Sequence, residues 1–265
     1  MILSIFYQTL IFVCLIATLS APTSAADYIL DDEFNTPSLS ASWMPLDVYD
    51  NKNNERQCYT PSQVSVHDGY LNISTITQRT QCSGTVQSFA SGAVVWAPSL
   101  SFTYGTVEYR AKFAGGKGTW PAIWLLGDQC HPNSPYIYNA PDCHWPQPGS
   151  NEIDLTEIQR SNFIRPGQNV INPAGTWAVC RPTVTDVSQN FHTYKFTWTP
   201  TSLTWWIDGV QTCQQTDRSY IPNTPMYMII NTAMGGNGAS RVNRATLPQT
   251  TQVDYIRVTP YQETH

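Results

Sequence analysis

The stretch GSNEIDLTEIQ, residues 149–159, gathers Glu152, Asp154 and Glu157 in a chain of 265 residues that has only six glutamates. In a strand, side chains alternate between faces, so Glu152 and Asp154 project to one side while Ile153 and Leu155 turn to the other. Glu157 stands an odd five positions from Glu152 and belongs to the opposite face, unless a β-bulge inserts one residue around Leu155 or Thr156. With that bulge all three acids share a surface. Glu152 and Glu157 are then roughly 13 Å apart at Cα, a gap that two inward-leaning side chains largely close. Like charges in a row repel and raise the pKa of the most confined member, so one acid can keep its proton while another is ionised at the same pH. A carboxylate nucleophile and a carboxylic acid about 5–5.5 Å apart are what double displacement at a glycosidic carbon requires, and Asp154 between them can tune the nucleophile. Spacing alone leaves two other uses open. One is a calcium site, although calcium loops recruit carbonyls and a glycine where EIDLTEI alternates like a strand. The other is a solvated acidic edge that discourages strand pairing.

The elements that position such acids are strands. Runs rich in β-branched and aromatic residues recur as GYLNIST, SGAVVWA, GTVEYRAKF, PAIWLLG, NEIDLTEI, TYKFTWTP, LTWWIDG, MYMIINTA and VDYIRVTPY, separated by Gly, Pro, Asn and Ser. Past the N-terminal segment no helix-length 3.6-residue periodicity interrupts them, and no linker or internal repeat divides them. An all-β fold follows, a β-sandwich or jelly roll forming a single domain over residues 27–265. Residues 128–150 form a long irregular segment with five prolines, Cys130 and Cys143. Its length and its place just before the acids suggest a cleft wall; a pinned surface excursion is the alternative.

Residues 1–26 carry an apolar stretch followed by small residues, which reads as a secretory signal and predicts an extracellular protein with no membrane association after cleavage. An uncleaved anchor is the other reading, since no Lys or Arg precedes the apolar stretch. Removing the signal removes Cys14 and leaves an even set, for which neighbours in order are the expected disulfides: Cys58 with Cys82, Cys130 with Cys143 and Cys180 with Cys213. Zinc is excluded because no CxxC pair exists. A net charge of −5 with 12% charged residues argues against nucleic acid or an anionic membrane as partner and suits a neutral ligand. The sequon at Asn72 predicts a glycan in a eukaryotic host, and with it a surface position.

NEIDLTE resembles the active-site strand of glycoside hydrolase family 16, in the bulged form of its laminarinase-like members. FTYGTVEYRAKFAGGKGTWPAIWLLG, HWPQPGSNEID, FHTYKFTWTPTSLTWWIDG and IINTAMGGN are similar to further family motifs in the same order, so the resemblance covers about residues 27 to 260. It implies two curved antiparallel sheets with a concave substrate cleft, and a retaining endo-acting hydrolase of β-1,3-linked glucan, laminarin-like, that needs no catalytic cofactor. Glu152 matches the nucleophile, Asp154 its helper and Glu157 the acid/base. A non-catalytic glucan-recognition protein, a transglycosylase, or an enzyme acting on mixed-linkage glucan or a galactan are the alternatives. The sequence departs from the family at Asn151, where a Gly is usual. It also lacks the Thr-x-His element of the strand facing the acids, near which AGTWAVC offers Trp177.

Other positions complete the expectations. Trp120 and Trp124, at i and i+4 on one strand face, are candidate sugar platforms. By resemblance Asn54, Glu55 and Arg56 lie at the cleft, with Asn54 and Arg56 as substrate contacts, and Glu33 and Asp254 hold a structural calcium on the convex face. Of the adjacent Trp205 and Trp206, one is core and one outward, and His192 is structural rather than catalytic. The polysaccharide is the expected partner and a monomer the expected state.

Overall fold

In a computed structural model, residues 27–49 and 52–263 are described; the secretory signal expected at residues 1–26 lies outside them. The chain begins with β1 (Leu30–Asp32), β2 (Trp43–Pro45), β3 (Gln57–Tyr59), β4 (Val64–His67), β5 (Tyr70–Cys82) and β6 (Thr85–Ser91). It continues through β7 (Ala93–Trp96), β8 (Gly105–Lys112), β9 (Thr119–Gly127), β10 (Glu152–Glu157), β11 (Gly167–Asn172) and β12 (Gly175–Cys180). It ends with β13 (His192–Thr199), β14 (Ser202–Ile207), β15 (Val210–Gln215), β16 (Met226–Met234) and β17 (Gln249–Pro260). Among the described residues there is no α-helix, and none of the 3₁₀ turns exceeds three residues; no helix there is long and apolar enough to cross a membrane.

The strands form two stacked sheets. One runs β15-β14-β13-β8-β17-β5-β6-β3, with β1 added on β17 and β4 on β5; the other runs β12-β11-β10-β9-β16-β7-β2. Pairing is antiparallel except where β3 lies parallel to β6, a small departure from the purely antiparallel sandwich expected. β8 alternates buried and part-exposed residues along its whole length, the mark of a strand with one face on the core. The core is closed by Ile123, Leu125, Ile153 and Leu155 from the seven-stranded sheet and by Val107, Tyr109, Phe196 and Trp205 from the ten-stranded one, all at or below 1% exposure. Each such side chain contributes roughly 1.5–3 kcal/mol of burial free energy. Trp205 is core and Trp206 outward, beneath the Lys195 ammonium 5.3 Å away.

The three disulfides join Cys58–Cys82, Cys130–Cys143 and Cys180–Cys213, the expected order. The last ties β12, at one edge of the seven-stranded sheet, to β15, at an edge of the other. His192 is buried with Nδ1 2.6 Å from Asp208 Oδ2, a structural role.

Glu33 and Asp254, the positions where the resemblance implies a structural calcium, are each paired with an arginine: Glu33 Oε1 accepts from Arg257 at 2.7 Å and Asp254 Oδ2 from Arg110 at 2.5 Å. Each carboxylate is engaged by its own guanidinium, and no group of three potential metal ligands occurs among the described residues. Asn72 is not a surface residue but 2% exposed. Its Nδ2 donates to the carbonyls of His67 and Tyr70, and its Oδ1 accepts from Gln252.

Candidate active site

β10 pairs with β9 and β11, and both ladders break register after Asp154: Asp154 faces Trp124 and Thr156 faces Ile123, so Leu155 is the supernumerary residue. The bulge restores parity. Ile153 and Leu155 enter the core, while Glu152, Asp154 and Glu157 line a cleft of about 530 Å³ on the outer face of the seven-stranded sheet.

β9 supplies the adjacent floor. Trp120, Ala122, Trp124 and Leu126 alternate onto the cleft face, as their spacing predicts. Trp120 donates its indole N–H to Glu157 Oε1 at 2.7 Å, and Trp124 donates to Asn231 Oδ1 of β16 at 2.8 Å. Gly238 packs flat on Trp120; a Cβ there would lie 2.2 Å from Trp120 Cε2. Side-chain freedom at Trp120 is thus removed from two sides.

β11 supplies Asn169, directly opposite Asp154 in register. Its amide nitrogen bridges Asp154 Oδ2 at 3.0 Å and Glu157 Oε2 at 2.9 Å. Gln159 adds a second donor to Glu157 Oε2 at 2.8 Å, and Arg181 donates to Gln159 Oε1 at 2.7 Å. The strand facing the acids is therefore β11 with Asn169; Trp177 lies one strand further out, opposite Val170.

The segment 128–150 walls the cleft with Tyr138, Asn139, Cys143 and Trp145. Tyr138 stacks on Tyr59 at 6.0 Å, and Trp145 donates to Glu152 Oε2 at 2.8 Å. Asn151 ties the end of the segment down through its amide on the Pro146 carbonyl. The opposite rim departs from expectation. Asn54 and Arg56 do not line the cleft, whereas Asn53 and Glu55 do. Parity is the reason: Glu55 bridges to Gly235 and lies on the same side as Gln57 and Tyr59, both of which hydrogen-bond it, while Arg56 covers the Phe89 ring. Asn54 bonds Asn237 instead.

Burial raises all three acids. Glu152 is pushed up to about 8, by burial first and by the charge of Glu157 next, against the opposing bond from Trp145. Asp154 is held well above the carboxylate range by burial and then by both neighbours, opposed by Asn169. Glu157 is raised by burial but opposed by Gln159, Trp120, Arg181 and Asn169. Three carboxyls so placed retain at least one proton at neutral pH, because ionising one makes the next harder to ionise. Such a cluster can keep a proton on one member while another carries the charge. The arrangement can deliver an acid to one side of a bond and a nucleophile to the other.

Comparison with known proteins agrees with this geometry. The family described as Glycosyl hydrolases family 16 matches residues 51–257. The chain is 30% identical over 281 residues to the glucan endo-1,3-beta-glucosidase A1 of Niallia circulans, covering 91% of this chain and 39% of that protein. It spans between 39% and 63% of the length of three curated relatives. Among solved structures, the laminarinase catalytic domain of Thermotoga maritima superposes with a TM-score of 0.77 at 23% identity, covering 90% of this chain and 99% of that one, a likeness of fold. SCLam, described as a non-specific endo-beta-1,3(4)-glucanase, gives 0.75 at 29% identity, covering 90% and 92%.

Proposed function

Because the chain belongs to glycosyl hydrolase family 16, we propose that it is a retaining endo-glycosidase cleaving β-1,3-linked glucan by double displacement. The observation that carries this reading is the bulge at Leu155, which puts Glu152 and Glu157 on one face of β10 at the floor of an open cleft. Glu152 is the nucleophile, Glu157 the acid/base and Asp154 the helper between them. Relatives named as endo-1,3-beta-glucosidases support the linkage.

Burial favours the proton on Glu152 before substrate enters the cleft, so the reactive form is the one in which it has moved to Glu157; Glu157 then gives it to the leaving oxygen while ionised Glu152 attacks the anomeric carbon. Trp145 stabilises that charge. The donors around Glu157 favour its anionic form, which opposes its role as an acid and suits the second step. Once Glu152 is esterified its charge is gone, repulsion on Glu157 falls, and Glu157 accepts a proton from the incoming water. Trp120 and Trp124 offer ring area to sugar CH faces, and Asn53 and Glu55 are polar contacts on the opposite rim. Secretion and a monomeric state belong to the same reading; the disulfides suit an oxidising compartment.

A glucan-recognition protein without activity is the second reading; a triad of acids with raised pKa values, Asp154 and Glu157 buried and Glu152 part-buried, disfavours it, since binding a neutral sugar has no use for that electrostatic cost. The test is product analysis on laminarin, lichenan and agarose with Glu152→Ala as control, following the anomeric proton by NMR. Oligosaccharides released first as β-anomers are expected from laminarin; inversion, or equal release by Glu152→Ala, would sink the mechanism.

A further inference from the structure

We infer that Thr156, Tyr109 and Trp205, none of which lines the cleft, are positioning residues through which the second sheet holds the bulge that turns Glu157 toward substrate. The inference rests on the reading of Glu157 as acid/base and names what places it.

A bulge takes backbone groups out of register, and a buried carbonyl left without a partner costs about 1–3 kcal/mol. On either side of Leu155 the carbonyls find side-chain donors. Asp154 O accepts the indole N–H of Trp205 at 3.1 Å, across the interlayer space from β14. Leu155 O accepts the Thr156 hydroxyl at 2.8 Å. With its proton so used, Thr156 Oγ1 accepts from the Tyr109 hydroxyl of β8 at 2.7 Å. Thr156 is 0% exposed, and Leu155, Tyr109 and Trp205 are 1% exposed, so water cannot replace any of these donors.

The Tyr109 ring is itself fixed, stacked on Tyr194 with centroids 4.9 Å apart and planes 7° apart. Burial raises its phenol far above the ordinary range, which keeps it a donor. Without this relay the extra residue loses its reason to stay extruded. A regular ladder with β9 and β11 would then compete, and in that ladder residue 157 points to the core.

Thr156→Val keeps the shape and removes the hydroxyl, Thr156→Ser keeps the hydroxyl, and Tyr109→Phe removes one oxygen. With cooperative melts as proof of folding, Thr156→Val and Tyr109→Phe are expected to lower kcat on laminarin about 10–100-fold with KM within about twofold. Thr156→Ser is expected within about threefold of wild type, and the Thr156→Val/Tyr109→Phe pair no worse than Thr156→Val alone, because the two oxygens act as one relay. A crystal structure of Thr156→Val reads the bulge without substrate, and the Glu157 carboxyl is expected about 1 Å or more from its wild-type place. An unmoved carboxyl, or folded Thr156→Val with kcat within about twofold of wild type, overturns the inference. Failure of the wild type to cleave any glucan would instead remove the proposed function, and the crystal structure would still judge the bulge.

Discussion

Trp145, from the irregular wall of the cleft, donates its indole N–H to Glu152 Oε2 at 2.8 Å. The segment that shapes the groove thereby also touches the proposed nucleophile. Trp145 is 49% exposed, so its place depends on the Cys130–Cys143 tether and on the Tyr138 stack more than on burial of its own ring.

Trp145→Phe removes this donor and keeps an aromatic rim. A hydrogen bond to a carboxylate favours its charged form, so losing it raises the pKa of Glu152. If Glu152 is the nucleophile it must be ionised, so the acidic limb of kcat/KM is expected to move to higher pH, with an overall loss of about tenfold at neutral pH. A pH–rate profile on laminarin checks this.

Glu157→Ala should lose about 10²–10⁴-fold on laminarin and much less on aryl glycosides with good leaving groups, where no proton need be supplied. Added azide, which needs no base, is expected to restore turnover of the aryl glycoside and to yield a β-glycosyl azide. Steady-state kinetics and NMR of the product decide it.

Glu152→Gln is expected to be inactive and more stable. The folded pKa of Glu152, about 8, lies above its ordinary value of 4.5. Between those values the folded state holds a proton that the unfolded chain releases, so stability falls as pH rises through the window. Glutamine has no such loss. The difference in Tm between variant and wild type should be near zero around pH 4 and grow to the order of 5 °C by pH 8, read by thermal melts.

Gly238→Ala tests the seat of Trp120. A methyl 2.2 Å from the indole must displace it, and the bond to Glu157 Oε1 moves with the ring. A drop in kcat of about tenfold or more is expected with only a small change in Tm, since the site lies at the cleft and not in the core.

Much of the site was legible because it is local. Alternation in EIDLTEI, and the odd offset that demands a bulge, need no knowledge of partners, and Trp120 and Trp124 follow from the same period. The nine strand runs read from the sequence are all strands. Asn54 and Arg56 were misplaced by one position because their short run pairs irregularly, through a single bridge at Glu55, and no pattern in the sequence sets its phase. Asn169, Gln159, Arg181 and Trp145 were not singled out. They reach the acids through strand pairing and loop closure, which amphipathic periods do not encode, though GQNVIN, the next strand along the chain after the acidic one, is a clue to Asn169. Asn72 misled for a related reason: a sequon states what a transferase recognises in an extended chain, whereas the folded protein spends both sides of that amide on β-sheet neighbours.

The extra residue in β10 also says something about how this scaffold tolerates change. A strand is a binary code, and one added letter swaps inside and outside for all that follows. Removing Leu155 would leave acids at even intervals on a straight segment, with the same trio turned outward and no need of anchorage from behind. Loss of a codon there is accordingly expected to keep the phase of the acids while giving up one core side chain.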